Sequence, residues 1–240
     1  MKERLAKVRS FFIWVLTLPV FLAACLAILL ATFLLRGRAL EAVIKGGCRA
    51  VLAVAGVRLR VRGRENIVPG RGYIAMMNHV NFFDPLVYQA VFPGPMRGAE
   101  EESHFRWPVY GATIRRLGMF PIDRKDTVRA VETLRRAAAW VRSRPGSSFG
   151  IMPEGTRTRD GRLSPFKRGG FVMAVETGLD ILPIVQRGAY EVARKGSLVI
   201  RPGRVEVTVE PPVSTAGYTK ETAGELVERV RRVFLDRLGE

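Results

Sequence analysis

His79 and Asp84 stand five positions apart in the stretch Asn78-His79-Val80-Asn81-Phe82-Phe83-Asp84-Pro85. The 240-residue chain has only two histidines, so a side chain able to take a proton near neutral pH is scarce in it. We read His79 as a general base and Asp84 as the carboxylate that orients its ring and stabilises the imidazolium. A plainer reading stands beside that one. Asp84 followed by Pro85 is also how a helix N-cap before an N1 proline looks. An aspartate at a given offset from a histidine arises from composition about one time in twenty, so the pair alone does not decide.

A second suggestive stretch is Pro153-Glu154-Gly155-Thr156-Arg157-Thr158-Arg159-Asp160-Gly161-Arg162. Arginines among glycines suit a loop that grips a phosphate, because a guanidinium meets phosphate oxygens two at a time. The alternative is a solvated turn, for which Asp160-Gly161 is ordinary.

Both stretches need elements to hold them. The apolar run Tyr73 to Met77 predicts a strand that delivers Asn78 and His79 at its C-terminal end, where open α/β sheets place ligand sites. Ser148 to Met152 predicts the strand that runs into the arginine loop. Residues 57–62 alternate apolar and basic, a strand with two unlike faces. Gly70-Arg71-Gly72-Tyr73-Ile74-Ala75 spells a dinucleotide fingerprint, but it precedes a strand where the fingerprint must follow one, so it is a turn. Helices are expected over 85–92, over 104–117, over 127–143 behind an Asp126 cap, from the Phe166 to Gly170 stretch to Gly178, and over 220–238. Further strands are expected at 96–100 and Asp180 to Val185, with a hairpin of 197–201 and 204–210 about Pro202-Gly203. The alternation predicts one mixed-sheet α/β domain with flanking helices over 56–240, preceded by a separate segment, 1–55.

The net charge is +17 and the pI about 11.0, which calls for an anionic partner: nucleic acid, an acidic membrane surface or a phosphorylated substrate. Residues 1–9 carry Lys2, Arg4, Lys7 and Arg9, and no charged residue follows from Ser10 to Leu35. As a helix that run reaches about 39 Å, enough to span a bilayer. Pro19 marks a kink within it, and Arg36 and Arg38 close it. Both flanks are positive, so no orientation follows. A single span and an interfacial hairpin with 39–56, bearing Lys45 and Arg49 on one face, fit equally. Leu22-Ala23-Ala24-Cys25 looks like a lipoprotein cleavage site, yet the apolar run continues ten residues past Cys25, so a retained anchor is expected. Cys25 and Cys48 form no Cys-x-x-Cys and, with two histidines in all, no zinc cluster or disulfide framework is expected. No nucleic-acid-binding motif accompanies the charge.

Four blocks in fixed order resemble the glycerolipid acyltransferase family, and most closely its bacterial 1-acyl-sn-glycerol-3-phosphate acyltransferases. They are Asn78-His79 through Asp84-Pro85 (H-x4-D), Gly118 to Arg124 (G-x-x-P-I-D-R), Met152 to Thr158 (F-P-E-G-T-R-S) and Ile181 to Val185 (V-P-I). The resemblance covers about residues 56–190. Met152 and Thr158 replace the usual Phe and Ser. Many relatives carry a lysine before the second block, where this chain reads Ala99-Glu100-Glu101-Glu102-Ser103, leaving Arg97 or Arg106 to compensate.

The resemblance implies transfer of a fatty acyl group from acyl-CoA or acyl carrier protein to the 2-hydroxyl of lysophosphatidic acid, giving phosphatidic acid. An alcohol is a weak nucleophile at neutral pH, and His79 supplies the base it needs. Attack on the thioester creates an oxyanion, for which backbone N–H groups near the turn are candidates. No acyl-enzyme is required, and no cofactor beyond the thioester. Substrate-binding candidates are Arg124, Glu154, Gly155, Thr156 and Arg157, with Lys167 and Arg168 weaker ones. Glu154 sits oddly beside an anion and has a structural role as its alternative; Asp123-Arg124 has a local ion pair as its alternative. His104 is expected to do no chemistry. Anionic lipids would hold the protein at the cytoplasmic face of the membrane. The rival readings are an acyltransferase for another lysolipid or glycerol 3-phosphate, a non-catalytic binder of anionic lipid, and a nucleic-acid binder.

Overall fold

The computed structural model describes residues 2–93 and 96–240. Strands β1 (Val57–Arg62), β2 (Ile74–Met77), β3 (Met96–Glu101), β4 (Phe120–Ile122), β5 (Ser148–Ile151), β6 (Ile181–Arg187) and β7 (Gly203–Val209) form one sheet in the order β1-β7-β6-β2-β5-β3-β4. Neighbours run parallel except β6 with β7, so the sheet is mixed. The helices are α1 (Lys2–Leu34), α2 (Gly37–Val54), α3 (Asp84–Val91), α4 (Tyr110–Arg116), α5 (Thr127–Arg142), α6 (Gly169–Thr177), α7 (Ala189–Val192) and α8 (Ala223–Leu238).

Strand β2 shows how sequence dictates the layering. A strand buried on both faces reads as a continuous apolar run, and Ile74, Ala75, Met76 and Met77 are all fully buried. Ala75 and Met77 join Leu52 of α2 and Val87 and Val91 of α3 on one side. Ile74 and Met76 join Ala137 of α5, Phe171 of α6 and Phe234 of α8 on the other. Each such large side chain contributes about 1.5–3 kcal/mol. Asn78 and His79 therefore leave the sheet at a fixed point, clamped by helices on both faces. The Asp126 cap forms as expected, accepting from the N–H groups of Val128 (2.9 Å) and Arg129 (3.0 Å).

Two local expectations change. The helix expected over 104–117 is a 3-10 turn, Glu102–Arg106, followed by α4. Pro108 lacks an N–H, and Val109 adopts φ +57°, which breaks a helix there. Residues 197–201 and 204–210 do not form a hairpin. Gly203 N–H donates to Gly56 O (3.0 Å), which starts β7 in parallel register with β1, and β6 takes its other edge. Residues 197–200 instead fold back to bridge Ala193 and Ile200. Strand β4 and helix α7 were not foreseen; both are too short for periodicity to reveal.

Helix α1 runs unbroken through Pro19 and is long and apolar enough to cross a membrane, with most of it exposed. Yet it lies across the α/β domain along its length. Ser10 Oγ bonds Ile200 (3.0 and 3.1 Å), and Trp14 packs on Phe82 (ring centroids 5.3 Å). Phe21 packs on Tyr110 (5.4 Å), Thr113 Oγ1 donates to Cys25 O (3.0 Å), and Arg116 Nε donates to Thr32 Oγ1 (3.1 Å). Helix α2 packs beside it; Lys45 pairs with Glu41, and Arg49 donates to Ala90 O (3.3 Å).

Candidate active site

The turn after β2 folds around the Asp84 carboxylate, which is fully buried. Its Oδ2 faces His79 Nδ1 at 2.7 Å and accepts from the N–H groups of Val80 (2.6 Å) and Asn81 (3.0 Å). Its Oδ1 accepts from Gln186 Nε2 at 2.8 Å. The other three groups facing this carboxylate are donors, so Nδ1 carries the ring proton and Nε2 keeps its lone pair. His79 borders a cleft of about 790 Å³, within the usual range for small-ligand sites. The arrangement can take a proton from a hydroxyl presented in that cleft and hold the resulting imidazolium beside a carboxylate.

The N-cap reading of Asp84 is corrected by this geometry. Its carboxylate reaches back to residues 79–81, and no side chain caps α3. Four backbone N–H groups of the turn are already engaged within the protein. His79 N donates to Glu154 Oε1 (2.6 Å), Val80 N and Asn81 N to Asp84, and Phe83 N to Asn81 Oδ1 (2.8 Å).

Glu154 is buried and does not border the cleft. Its second oxygen accepts from Ser164 N (2.9 Å), so its carboxylate ties the histidine turn to the arginine loop. Thr158 N–H, donating to His79 O (2.9 Å), makes the same connection. Burial pushes the Glu154 carboxyl up to about 7, against the pull of its two N–H donors. The folded protein thus holds this proton to about pH 7, whereas an unperturbed Glu holds it only to 4.5. Stability from this group is complete below pH 4.5 and declines as pH rises to about 7. Wild type is expected to melt at progressively lower temperature across that window, and Glu154→Gln to lose that part of the slope. Thermal melts at stepped pH check it; identical slopes refute it.

The arginine loop gathers positive charge beside the cleft. Gly155 (φ +68°) lines the cleft, and a Cβ there would meet the Lys167 side chain at 2.8 Å. The exposed Thr156 hydroxyl accepts from Lys195 Nζ (2.8 Å). Burial, then Arg159, Arg157 and Arg124, hold the Lys195 ammonium below the usual lysine range. Four cations from three parts of the chain therefore converge beside the cleft. Arg124 lines it and pairs with Glu101 (3.2 Å), while Asp123 pairs with Arg129 (2.9 Å), so Asp123-Arg124 is no local ion pair. Lys167 and Arg168 also line the cleft.

The acidic run before the second block is matched by partners. Glu100 bonds His104 Nδ1 (2.6 Å) and Tyr110 (3.3 Å), Glu101 meets Arg124, and Glu102 meets Arg129 (2.9 Å). His104 thus has a carboxylate partner, although it does not border the cleft. Arg97 does border it, lying over Trp140 at 4.3 Å, where burial and then Arg144 pull its guanidinium below the usual arginine range. Arg106 is exposed and away from the cleft.

Gln186 and Lys195 were not singled out from sequence. Gln186 is buried and also donates to Asn78 O (2.9 Å), while Asn78 and Gln186 exchange side-chain to backbone bonds of 3.0 and 2.8 Å. A polar residue directly after the apolar Ile181 to Val185 run was the signal available; its partners lie 102 and 108 residues away.

A histidine–carboxylate pair at the strand ends of a mixed α/β sheet, beside a basic loop, is a site that can take a proton next to a cluster of positive charge. The chain belongs to the Acyltransferase family, whose profile matches residues 58–187. It is 31% identical over 180 residues to the human 1-acyl-sn-glycerol-3-phosphate acyltransferase alpha, covering 75% of this chain and 63% of that protein. It is 27% identical over 188 residues to the Limnanthes douglasii 1-acyl-sn-glycerol-3-phosphate acyltransferase, covering 78% of this chain and 66% of that one. The chain thus spans less than two thirds of the length of these curated relatives. Its fold matches the crystal structure of the 1-acyl-sn-glycerophosphate (LPA) acyltransferase PlsC from Thermotoga maritima. That match has a TM-score of 0.82 at 24% identity, covering 100% of this chain and 98% of the other.

Proposed function

We propose that the chain transfers a fatty acyl group from acyl-CoA or acyl carrier protein to the 2-hydroxyl of 1-acyl-sn-glycerol 3-phosphate. The observation that carries the reading is the His79 ring, oriented by a buried aspartate and bordering a cleft beside four cations, of which only Arg124 has an ion-pair partner among the described residues. His79 Nε2 takes the proton of the acceptor hydroxyl as its oxygen attacks the thioester carbonyl. Asp84 stabilises the imidazolium, which then returns its proton to the leaving thiolate. The acyl group passes directly to the acceptor, and no covalent enzyme intermediate forms. Arg157, Lys195 and Arg124 bind the acceptor phosphate, with Gly155 leaving room for its approach and Thr156 held in place by Lys195. Glu154 acts from behind, fixing the His79 backbone. The largely apolar part of the cleft between α5 and α6, lined by Ala130, Val131, Leu134, Val172 and Met173, suits an acyl chain.

Helix α1, fastened along its length to the domain, lies in one leaflet with α2 and does not project across the bilayer. That leaflet faces the cytosol, where the thioester donor is found. The segment 1–55 serves as the anchor and 56–240 as the catalytic domain.

The test is an acceptor series in vesicles: lysophosphatidic acid, lysophosphatidylcholine and monoacylglycerol. A charge-assisted hydrogen bond contributes about 1.5–3 kcal/mol, or about 10–150-fold. The wild type is expected to favour lysophosphatidic acid over monoacylglycerol by at least that factor in kcat/KM. Arg157→Ala should lose about that factor on the phosphorylated acceptor while leaving the phosphate-free one unchanged. Equal use of all three acceptors would overturn the phosphate assignment.

A further inference from the structure

Residues 193–200 form a loop closed by the Ala193–Ile200 bridge, with Gly196 at φ +80° and Leu198 at its tip. Leu198 is 76% exposed, although a leucine normally gains by burial. Its backbone is nonetheless fixed. Trp14 Nε1 of α1 donates to Leu198 O (2.8 Å), and Ser10 Oγ of α1 bonds both the N–H (3.0 Å) and C=O (3.1 Å) of Ile200. The loop therefore sits against the stretch of α1 that exposes Phe11, Phe12, Val15 and Leu18. Arg194, Lys195 and Arg201 flank the exposed leucine in sequence.

We propose that this loop is a second bilayer contact, which inserts Leu198 into the leaflet that receives α1 and brings Lys195 to the lipid's point of entry. An exposed apolar side chain flanked by cations complements an anionic phospholipid surface, where each basic residue adds about 1 kcal/mol. Continuity with the exposed face of α1 selects a membrane as the occupant over an acidic carrier protein. Lys195 links this contact to the site, because its ammonium reaches Thr156 of the arginine loop at 2.8 Å. An acceptor headgroup leaving the leaflet beside Leu198 meets Lys195 before Arg157. The link to the acceptor rests on the acyltransfer reading; the membrane contact does not.

The experiment uses the full chain with Leu198→Cys carrying an environment-sensitive dye. Cys25 and Cys48 are buried and label slowly, with wild type treated alike as the blank. Vesicles of phosphatidylcholine, with and without phosphatidylglycerol, carry spin-labelled acyl chains as quenchers. On protein shown by flotation to be bound, the dye is expected to shift to the blue and to be quenched, more so with phosphatidylglycerol present. A dye that reports water on bound protein overturns the proposal. Leu198→Asp supplies a second readout. KM for vesicle-borne acceptor should rise about tenfold, the loss of roughly one buried apolar group, with kcat and the donor KM unchanged. If the KM for acyl carrier protein donor rises and the vesicle terms hold, the loop docks protein and the proposal fails. Dye insertion in a protein that transfers no acyl group sinks the acyltransfer reading alone.

Discussion

Asp84→Asn is expected to lower kcat by about 10³-fold while the protein remains folded. Three donors converge on Oδ2 and one on Oδ1. An asparagine can place its carbonyl oxygen toward His79, Val80 and Asn81 and preserve the turn. Its amide then faces Gln186, whose Oε1 is buried without a partner and can turn to accept at the cost of the Nε2 bond to Asn78 O. Shape and tautomer survive, but the negative charge does not. An ion pair about 4 Å apart at an effective dielectric of 20 is worth about 4 kcal/mol, and its loss from the imidazolium state is about 10³ in rate. Gln186→Leu, which keeps the charge and removes one donor to it, should lose about tenfold or somewhat more. Steady-state kinetics beside thermal melts check both. A folded Asp84→Asn enzyme at wild-type rate would leave Asp84 a scaffold residue only.

His79→Ala is expected to lower kcat by about 10²–10⁴-fold, the usual contribution of a positioned base. Affinity for the donor should hold, because the cleft keeps its other walls, from Met96 to Met173. Fold should hold too, since the Val80, Asn81 and Gln186 donors to Asp84 remain. Equilibrium binding of a non-transferable thioester analogue separates loss of chemistry from loss of binding.

Much of this site is legible in sequence because its chemistry is local. His79 and Asp84 meet within one turn, and the arginine loop carries Gly155, Thr156 and Arg157 in a row. Strand β2 announces itself as an apolar run, and the order of elements gives the sheet. What stays hidden depends on distance along the chain. Gln186 reaches Asp84 across 102 residues, and Lys195 reaches Thr156 across 39. The binding role expected of Glu154 gives way to a proposed bracing one, because sequence places it beside an anion site and only the fold shows its carboxylate turned toward two N–H groups. The hairpin about Pro202-Gly203 fails for a similar reason: turn chemistry is local, but the partner of β7 is chosen by Gly56, far upstream.

The central claim is tested most directly by mixing purified, vesicle-bound protein with labelled acyl-CoA and lysophosphatidic acid, then locating the label. The account predicts phosphatidic acid labelled at the 2-position, and no covalently labelled protein when the acceptor is left out. A folded, membrane-bound protein that acylates no lysolipid, or one that first carries the acyl group on itself, would contradict it.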